Sequence, residues 1–316
     1  TMTKILITGA GGFVGTYLIK ELQKSADFEI YGAVFSATSD ISSLLPSDHI
    51  IEGDLSDYNF ASDLVKKSAP DVVYHLAALS VVGTSESKAL SVMNTNTTIS
   101  YNILEAVKSF APKARFIAIA SANVYGAVED TSKPIDESLP LRPLNPYAVS
   151  KVSQEMLATM YCLAYGLDIV IVRPFNHTGI GQTIDFVIPK LAKQFADIER
   201  GEIEPVIEVG NLDTVRDFTD VRDMVEAYAL AAQSGKSGQI YNLGSGTGHT
   251  IKEILDILQS LSPAKVEIKV KEELVRTADV PVLICDASKF NAITGWTAKT
   301  SLNQTVSDIL NYYRGK

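Results

Sequence analysis

Through its first 175 residues the chain alternates short apolar runs with longer segments of mixed polarity. Residues 5–8, 29–35, 72–76, 116–120 and 169–172 are mostly apolar on consecutive positions and predict strands. Between them, residues 13–24, 60–67, 91–110 and 147–165 carry apolar positions at helical spacing. A strand that is apolar on consecutive positions is covered on both faces, which calls for a parallel sheet with helices on either side. Right-handed crossovers then give a doubly wound α/β fold.

Beyond Arg173-Pro174 the pattern loosens. Helices are predicted over 186–198, 221–232, 251–261 and 302–313, and strands over 205–209, 239–243 and 266–270. Seven of the twelve prolines fall between Pro134 and Pro205, near junctions rather than inside the early strands. The expected division is a larger unit over 1–174, with interleaved returns over about 211–244. Most of 175–316 forms a smaller C-terminal α/β lobe over the carboxyl edge of the sheet. No internal repeat or low-complexity segment interrupts this reading.

A length of 316 residues suits about two domains, or one core with a substantial appendage. With 46% hydrophobic and 21% charged residues, the chain can bury a large core. Its 28 basic and 37 acidic side chains leave a net charge of −9, which argues against a general nucleic-acid partner. A local basic pocket for a small anion is compatible with that balance. Cys162 and Cys285 are too few for a disulfide framework, and a reducing compartment is the simpler expectation. His49, His75, His177 and His249 are far apart in sequence and no C-x-x-C occurs, so no metal is expected. Nor is a membrane partner, because no run of about 18 apolar residues is present. Thr1 before Met2 reads as an added residue, and residues 5–8 are too short for a signal-peptide core. Cytoplasm is the expected location.

The first candidate chemistry lies at residues 5–15, Ile-Leu-Ile-Thr-Gly-Ala-Gly-Gly-Phe-Val-Gly. Gly9, Gly12 and Gly15 form G-x-x-G-x-x-G between a strand and a helix that opens on Phe13 and Val14. Glycine permits the tight turn and lets a pyrophosphate approach the backbone, while the helix start offers free N–H groups and a positive dipole end. This is the entry to a Rossmann NAD(P)-binding domain; the plainer alternative is a glycine-rich turn with no ligand. An acidic residue about twenty positions on would hold a ribose 2′-hydroxyl and favour NAD. Phe35 and Ser36 occupy that region and no carboxylate follows until Asp40, so NADP is favoured, with NAD possible. Gly53-Asp54-Leu55 follows a third strand. There Asp54 can accept from an adenine amino group or cap the next helix, and both readings stay open.

Tyr147 and Lys151 stand four apart in a predicted helix and therefore on one face. A phenol with an ordinary pKa of about 10 shuttles protons poorly at neutral pH, and a nearby ammonium is expected to bring it down. Lys151 can also reach a nicotinamide ribose. Ser121 closes the fifth strand at a carboxyl end, where open α/β sheets bind ligands.

Taken together, six motifs resemble the extended short-chain dehydrogenase/reductase family, whose members act mainly on nucleotide sugars. They are T-G-x-x-G-x-x-G, G-D-L, H-L-A-A from His75 to Ala78, S-x-x-V-Y-G, Y-x-x-x-K, and R-P-F-N from Arg173 to Asn176. The resemblance implies that Ser121 hydrogen-bonds the reacting carbonyl, Tyr147 is the acid/base and Lys151 assists it. Cofactor contacts are implied for Gly9, Gly12, Phe13, Val14, Gly15, Ser36, Asp54, Leu55, Leu76, Ala77, Ala78, Tyr147 and Lys151.

The family includes epimerases, 4,6-dehydratases and 4-keto reductases. The resemblance gives dehydratases a carboxylate-bearing pair after the serine or threonine; here Ala122 and Asn123 stand there, which disfavours dehydration. Residues 173–182, 209–223 and 276–281 look like the GDP-mannose branch. That likeness implies reduction of the C4 ketone of a GDP-linked 4-keto-6-deoxy sugar, GDP-4-dehydro-6-deoxy-D-mannose, to GDP-D-rhamnose. The alternatives are an NAD-dependent nucleotide-sugar 4-epimerase and, from another class, a non-catalytic dinucleotide sensor. A diphosphate needs cations, and Arg216 and Arg276 are the candidates. The alternative reading pairs Arg216 with Asp217, Asp220 or Asp223, and Arg276 with Glu272, Glu273 or Asp279. Ser121, Asn123, Asn176, Val187 and Lys190 complete the candidate substrate contacts, while His177 is read as structural. Family members pair the helices at 91–110 and 147–165 into a four-helix interface, so a homodimer is expected; Leu157, Met160 and Tyr161 could equally face the core.

Overall fold

The computed structural model describes residues 2–36, 41–80, 86–275 and 280–316. Its centre is a seven-stranded sheet of β1 (Thr3–Thr8), β2 (Phe28–Val34), β3 (Ile50–Glu52), β4 (Val72–His75), β5 (Arg115–Ile119), β6 (Ile169–Pro174) and β11 (Ile240–Leu243). The strand order is β3-β2-β1-β4-β5-β6-β11 and every pairing is parallel. This is the doubly wound Rossmann sheet, and the order reverses between β1 and β4. Ligands of such sheets bind outside the carboxyl ends at that switch point.

Continuous burial explains the continuous apolar runs: all six residues of β6 are buried, as are the last four of β1. On one face, α1 (Phe13–Leu22) and α6 (Val221–Ser234) cover Ile5, Ile7, Ile117, Val170 and Val172. On the other, α2 (Tyr58–Ser68), α3 (Glu86–Phe110) and α4 (Pro146–Tyr165) cover Leu6, Val73, Phe116 and Ile169.

The remaining elements build the smaller lobe. Here α5 (Val187–Glu199), α7 (Ile251–Leu261) and α9 (Leu302–Arg314) enclose a separate core around Phe195, Ile207, Leu258 and Ile309. Beside it lie the parallel pair β8 (Val206–Val209) and β13 (Glu267–Val270). A three-stranded sheet contains β9 (Val215–Asp217), β12 (Gly248–Thr250) and β14 (Val282–Leu283). The short parallel pair of β7 (His177–Thr178) and β10 (Thr219–Asp220) leads from β6 into α6. A last helix, α8 (Ser288–Thr294), packs Phe290 and the following Trp296 against the main core. No helix among the described residues is long and apolar enough to cross a membrane.

Candidate active site

The glycine turn sits between β1 and α1, at the switch point. Gly9 has φ +70°, and a Cβ there would lie 2.9 Å from the Ala77 backbone nitrogen. At Gly15 a Cβ would meet the carbonyl oxygens of Gly9 and Ala10 at 2.5 and 2.6 Å. Side chains are therefore excluded by the turn's own backbone and by the segment after β4. Gly12 caps α1 without any side-chain hydrogen bond to the helix N–H groups, and the first turn carries no acidic residue. A backbone cradle of this kind, with unfilled donors at a helix start, fits the pyrophosphate of a dinucleotide.

Leu76, Ala77 and Ala78 run past that turn. The Leu76 amide donates to the Thr8 carbonyl at 3.3 Å and the Ala77 amide to the Thr8 hydroxyl at 3.2 Å. Thr8 also pairs at 2.8 Å with His75, whose other ring nitrogen meets Ser100 at 3.2 Å. Burial and the Lys151 amine push His75 down to about 3, so it stays neutral at physiological pH and serves as a spacer. The chain of bonds continues: Ser100 donates to the Asn96 carbonyl, Asn96 to Ser150, and Ser150 to the Tyr147 carbonyl at 2.7 Å. A buried polar thread thus ties the end of β1 to the first turn of α4.

That turn begins where Asn145 accepts from the Ala148 amide at 2.8 Å and Pro146 opens the helix. Half-buried Tyr147 and buried Lys151 then follow on one face. The Lys151 ammonium lies 5.9 Å from the Tyr147 ring centroid and donates to the Ile119 carbonyl at 2.8 Å and to Gln154 Oε1 at 2.9 Å. Ser121, two residues past β5, accepts from the Asn123 amide and lies close enough to the Tyr147 phenol to lower its pKa. Ser121, Tyr147 and Lys151 are thus brought together at the carboxyl edge, with half-buried Asn123 beside them.

One expectation is corrected here. Burial pushes the Tyr147 phenol up to about 12, Ser121 pulling the other way, so the lysine does not bring it below 10. The reason is that burial acts on both partners: it drives the Lys151 amine down to about 7 and weakens the very charge that was to help.

This shift has a stability consequence. Between about 7 and the ordinary lysine value, the unfolded chain binds a proton that the folded chain lacks, so stability rises with pH across that window. Lys151→Met should flatten the rise between pH 7 and 9.5 and stabilise the fold at pH 7 by about 1–3 kcal/mol. Urea melts across that range check it; parallel slopes for the two proteins would refute it.

Residues 6–309 match the family described as GDP-mannose 4,6 dehydratase. The chain belongs to this family. It is 32% identical over 313 residues to GDP-6-deoxy-D-mannose reductase of Pseudomonas aeruginosa, covering 99% of this chain and 98% of that protein. Identity is also 32%, over 293 residues, to GDP-6-deoxy-D-talose 4-dehydrogenase of Aggregatibacter actinomycetemcomitans, covering 92% and 91%. Among solved structures, RMD from Pseudomonas aeruginosa complexed with NADPH superposes with a TM-score of 0.87 at 30% identity over 99% of both chains.

The other residues singled out in this GDP-mannose 4,6 dehydratase family member divide into two groups. Arg173 of R-P-F-N is buried in an ion pair with Glu155, and it donates at 2.8 Å to Tyr125, which donates at 2.6 Å to Asn242. These motif residues clamp α4 to β6 and β11. Exposed Asn176 follows β6, its carbonyl accepting from the Thr219 amide at 2.8 Å. Val187 and Lys190 stand on the first turn of α5; among the described residues neither hydrogen-bonds to the group around Tyr147. Ser36 follows β2 at the same sheet edge as the glycine turn. Asp54 accepts from the Ser56 amide at 2.8 Å, whereas Asp57 caps α2, which corrects the capping alternative for Asp54; Leu55 is buried beside it.

Arg216 lies half-buried on β9, and the three aspartates near it are committed elsewhere. Asp217 accepts from the Ser245, Gly246 and Cys285 amides, Asp220 caps α6 and pairs with Arg222, and Asp223 accepts from the Lys299 and Thr300 amides. The three aspartates of the run 215–223 are buried anchors rather than members of a solvated charge cluster. Arg276 lies outside the described residues. Sequence reasoning missed Gln154, whose only signal is its three-residue spacing from Lys151.

Proposed function

We propose that the protein reduces the C4 ketone of a GDP-linked 4-keto-6-deoxy sugar, GDP-4-dehydro-6-deoxy-D-mannose, to GDP-D-rhamnose. NADP is its proposed cofactor, with NAD as a second choice. The observation that carries this is the convergence of Ser121, Tyr147 and Lys151 beside the glycine turn. Two relatives named for GDP-6-deoxy sugars, and a neighbour solved with NADPH, support the choice of substrate and cofactor. When bound, the nicotinamide supplies a hydride.

The chain's residues do the rest. Gly9, Gly12 and Gly15 admit the pyrophosphate, Phe13 and Val14 present the helix N–H groups, and Leu76–Ala78 form the far wall. Ser121 donates to the ketone oxygen, and Tyr147, fully protonated at neutral pH, gives its proton to the developing alkoxide. Lys151 holds charge next to the phenolate that this leaves. Asn123, Asn176, Val187, Lys190, Arg216 and Arg276 are assigned to the sugar nucleotide. With Ala122 and Asn123 in place of a carboxylate pair, elimination of water has no proton acceptor there.

The protein is also assigned as a homodimer. Tyr101 on α3 and Met156, Met160 and Leu163 on α4 form an exposed apolar face; Leu163 is 81% exposed. A second copy covering that face is the economical partner. A solution mass of one chain would exclude it.

With NADPH and GDP-4-dehydro-6-deoxy-D-mannose, absorbance of the reduced cofactor is expected to fall. Tightly retained NAD⁺ with no NADPH consumption would replace this reading with a 4-epimerase.

A further inference from the structure

Lys151 is gripped from behind by a side chain that the mechanism above does not use. Gln154 follows it by three residues on α4, so Tyr147, Lys151 and Gln154 lie along one face of the helix. Gln154 is 3% exposed, its Oε1 accepts from Lys151, and its Nε2 is buried with no hydrogen-bond partner among the described residues. An apolar residue would fill that place without an orphaned amide, so the oxygen is the part of the side chain with a task.

Counting protons shows what the task is. An ammonium has three N–H donors, a neutral amine two and a lone pair. The Ile119 carbonyl and Gln154 Oε1 take two donors. Protonated Lys151 therefore keeps one donor for the ligand side of the site, and neutral Lys151 keeps none.

We propose that Gln154 is a positioning residue that makes dinucleotide binding depend on protonated Lys151, by consuming the donor a neutral lysine would otherwise turn toward the cofactor. The inference rests on the dinucleotide reading above. Burial brings the Lys151 amine to about 7, so both forms occur near neutrality. The other ionisable groups around it are accounted for. His75 of β4 is held neutral between Thr8 and Ser100, and Tyr147 of α4 is pushed up to about 12. Glu155 of α4 and Arg173 of β6 are locked to one another, and Tyr228 of α6 is raised by burial. Among these, the Lys151 amine is the one brought close to neutral pH.

The test measures the Kd for NADPH by cofactor fluorescence from pH 6 to 9.5 in wild type, Gln154→Leu and Gln154→Glu. Titration of the ligand's own phosphate is common to all three proteins and cancels in the comparison. Wild-type Kd is expected to rise at least about tenfold above a break near neutrality, the effect of one charge-assisted hydrogen bond. In Gln154→Leu a neutral lysine keeps a donor for the cofactor, so the rise in Kd shrinks to within about threefold, and loss of an acceptor moves what remains of the break down in pH. In Gln154→Glu the added carboxylate moves it up, and this near-isosteric variant keeps the test alive should the leucine variant fold poorly. A rise in Kd as large in Gln154→Leu as in wild type, or a break unmoved in both variants with only the melting temperature changed, would make Gln154 a packing residue and overturn the proposal. Failure of the wild type to bind NADPH at any pH would instead overturn the dinucleotide reading itself.

Discussion

Replacing Tyr147 with Phe is expected to lower kcat for ketone reduction by about 10²–10⁴-fold, with the Kd for NADPH nearly unchanged. The expectation comes from where the proton is. Burial holds the phenol at about 12, so at pH 7 it carries its proton and reduction needs no prior ionisation. Phenylalanine keeps the ring and its packing while removing that proton and the hydroxyl beside Ser121. The reverse reaction, which needs the phenolate, should accelerate with alkaline pH, whereas ketone reduction should not. Stopped-flow turnover with direct Kd measurement separates chemistry from binding. Residual activity within threefold of wild type would remove Tyr147 from the proton path.

Glu155→Ala should have the largest effect on stability, about 3–5 kcal/mol. Glu155 is wholly buried and pairs bidentately with Arg173, itself 3% exposed. Truncating the carboxylate leaves a buried guanidinium whose other contacts are the Tyr125 hydroxyl and the Glu137 carbonyl, both neutral. The same change unties α4 from β6, so Tyr147 and Lys151 lose their footing and activity should fall together with stability. Chemical denaturation reads the first and turnover the second. A loss below about 1 kcal/mol would mean that water or another group satisfies Arg173.

The central sheet was legible in the sequence because its strands are buried on both faces and so write themselves as unbroken apolar runs. The strands β7, β9, β10, β12 and β14 are two or three residues long and have no period to detect. Ser121, Tyr147 and Lys151 were legible as motifs. The network that holds them was not: Thr8, Asn96, Ser100 and Ser150 are polar residues with no marker of burial in the sequence. Asp217, Asp220 and Asp223 show the same limit. Three aspartates among two arginines read as a solvated run, yet all three are buried: backbone N–H groups from Ser245 and Cys285 pair with Asp217, that of Lys299 with Asp223, and the Arg222 amide and Thr305 hydroxyl with Asp220. The sign of the Tyr147 shift was missed because burial outweighs a helix-neighbour charge that is itself depleted by burial.

Hydride addition to a sugar C4 ketone at the Tyr147 site can be followed by isotope transfer. The protein is incubated with NADPH carrying deuterium at nicotinamide C4 on the transferred face, together with GDP-4-dehydro-6-deoxy-D-mannose, and the product is examined by NMR. One deuterium is expected at sugar C4 for each NADPH oxidised, in a GDP-6-deoxy-hexose whose formation Tyr147→Phe suppresses. A product with no deuterium at C4, or an inverted sugar formed with no net oxidation of NADPH, would contradict it.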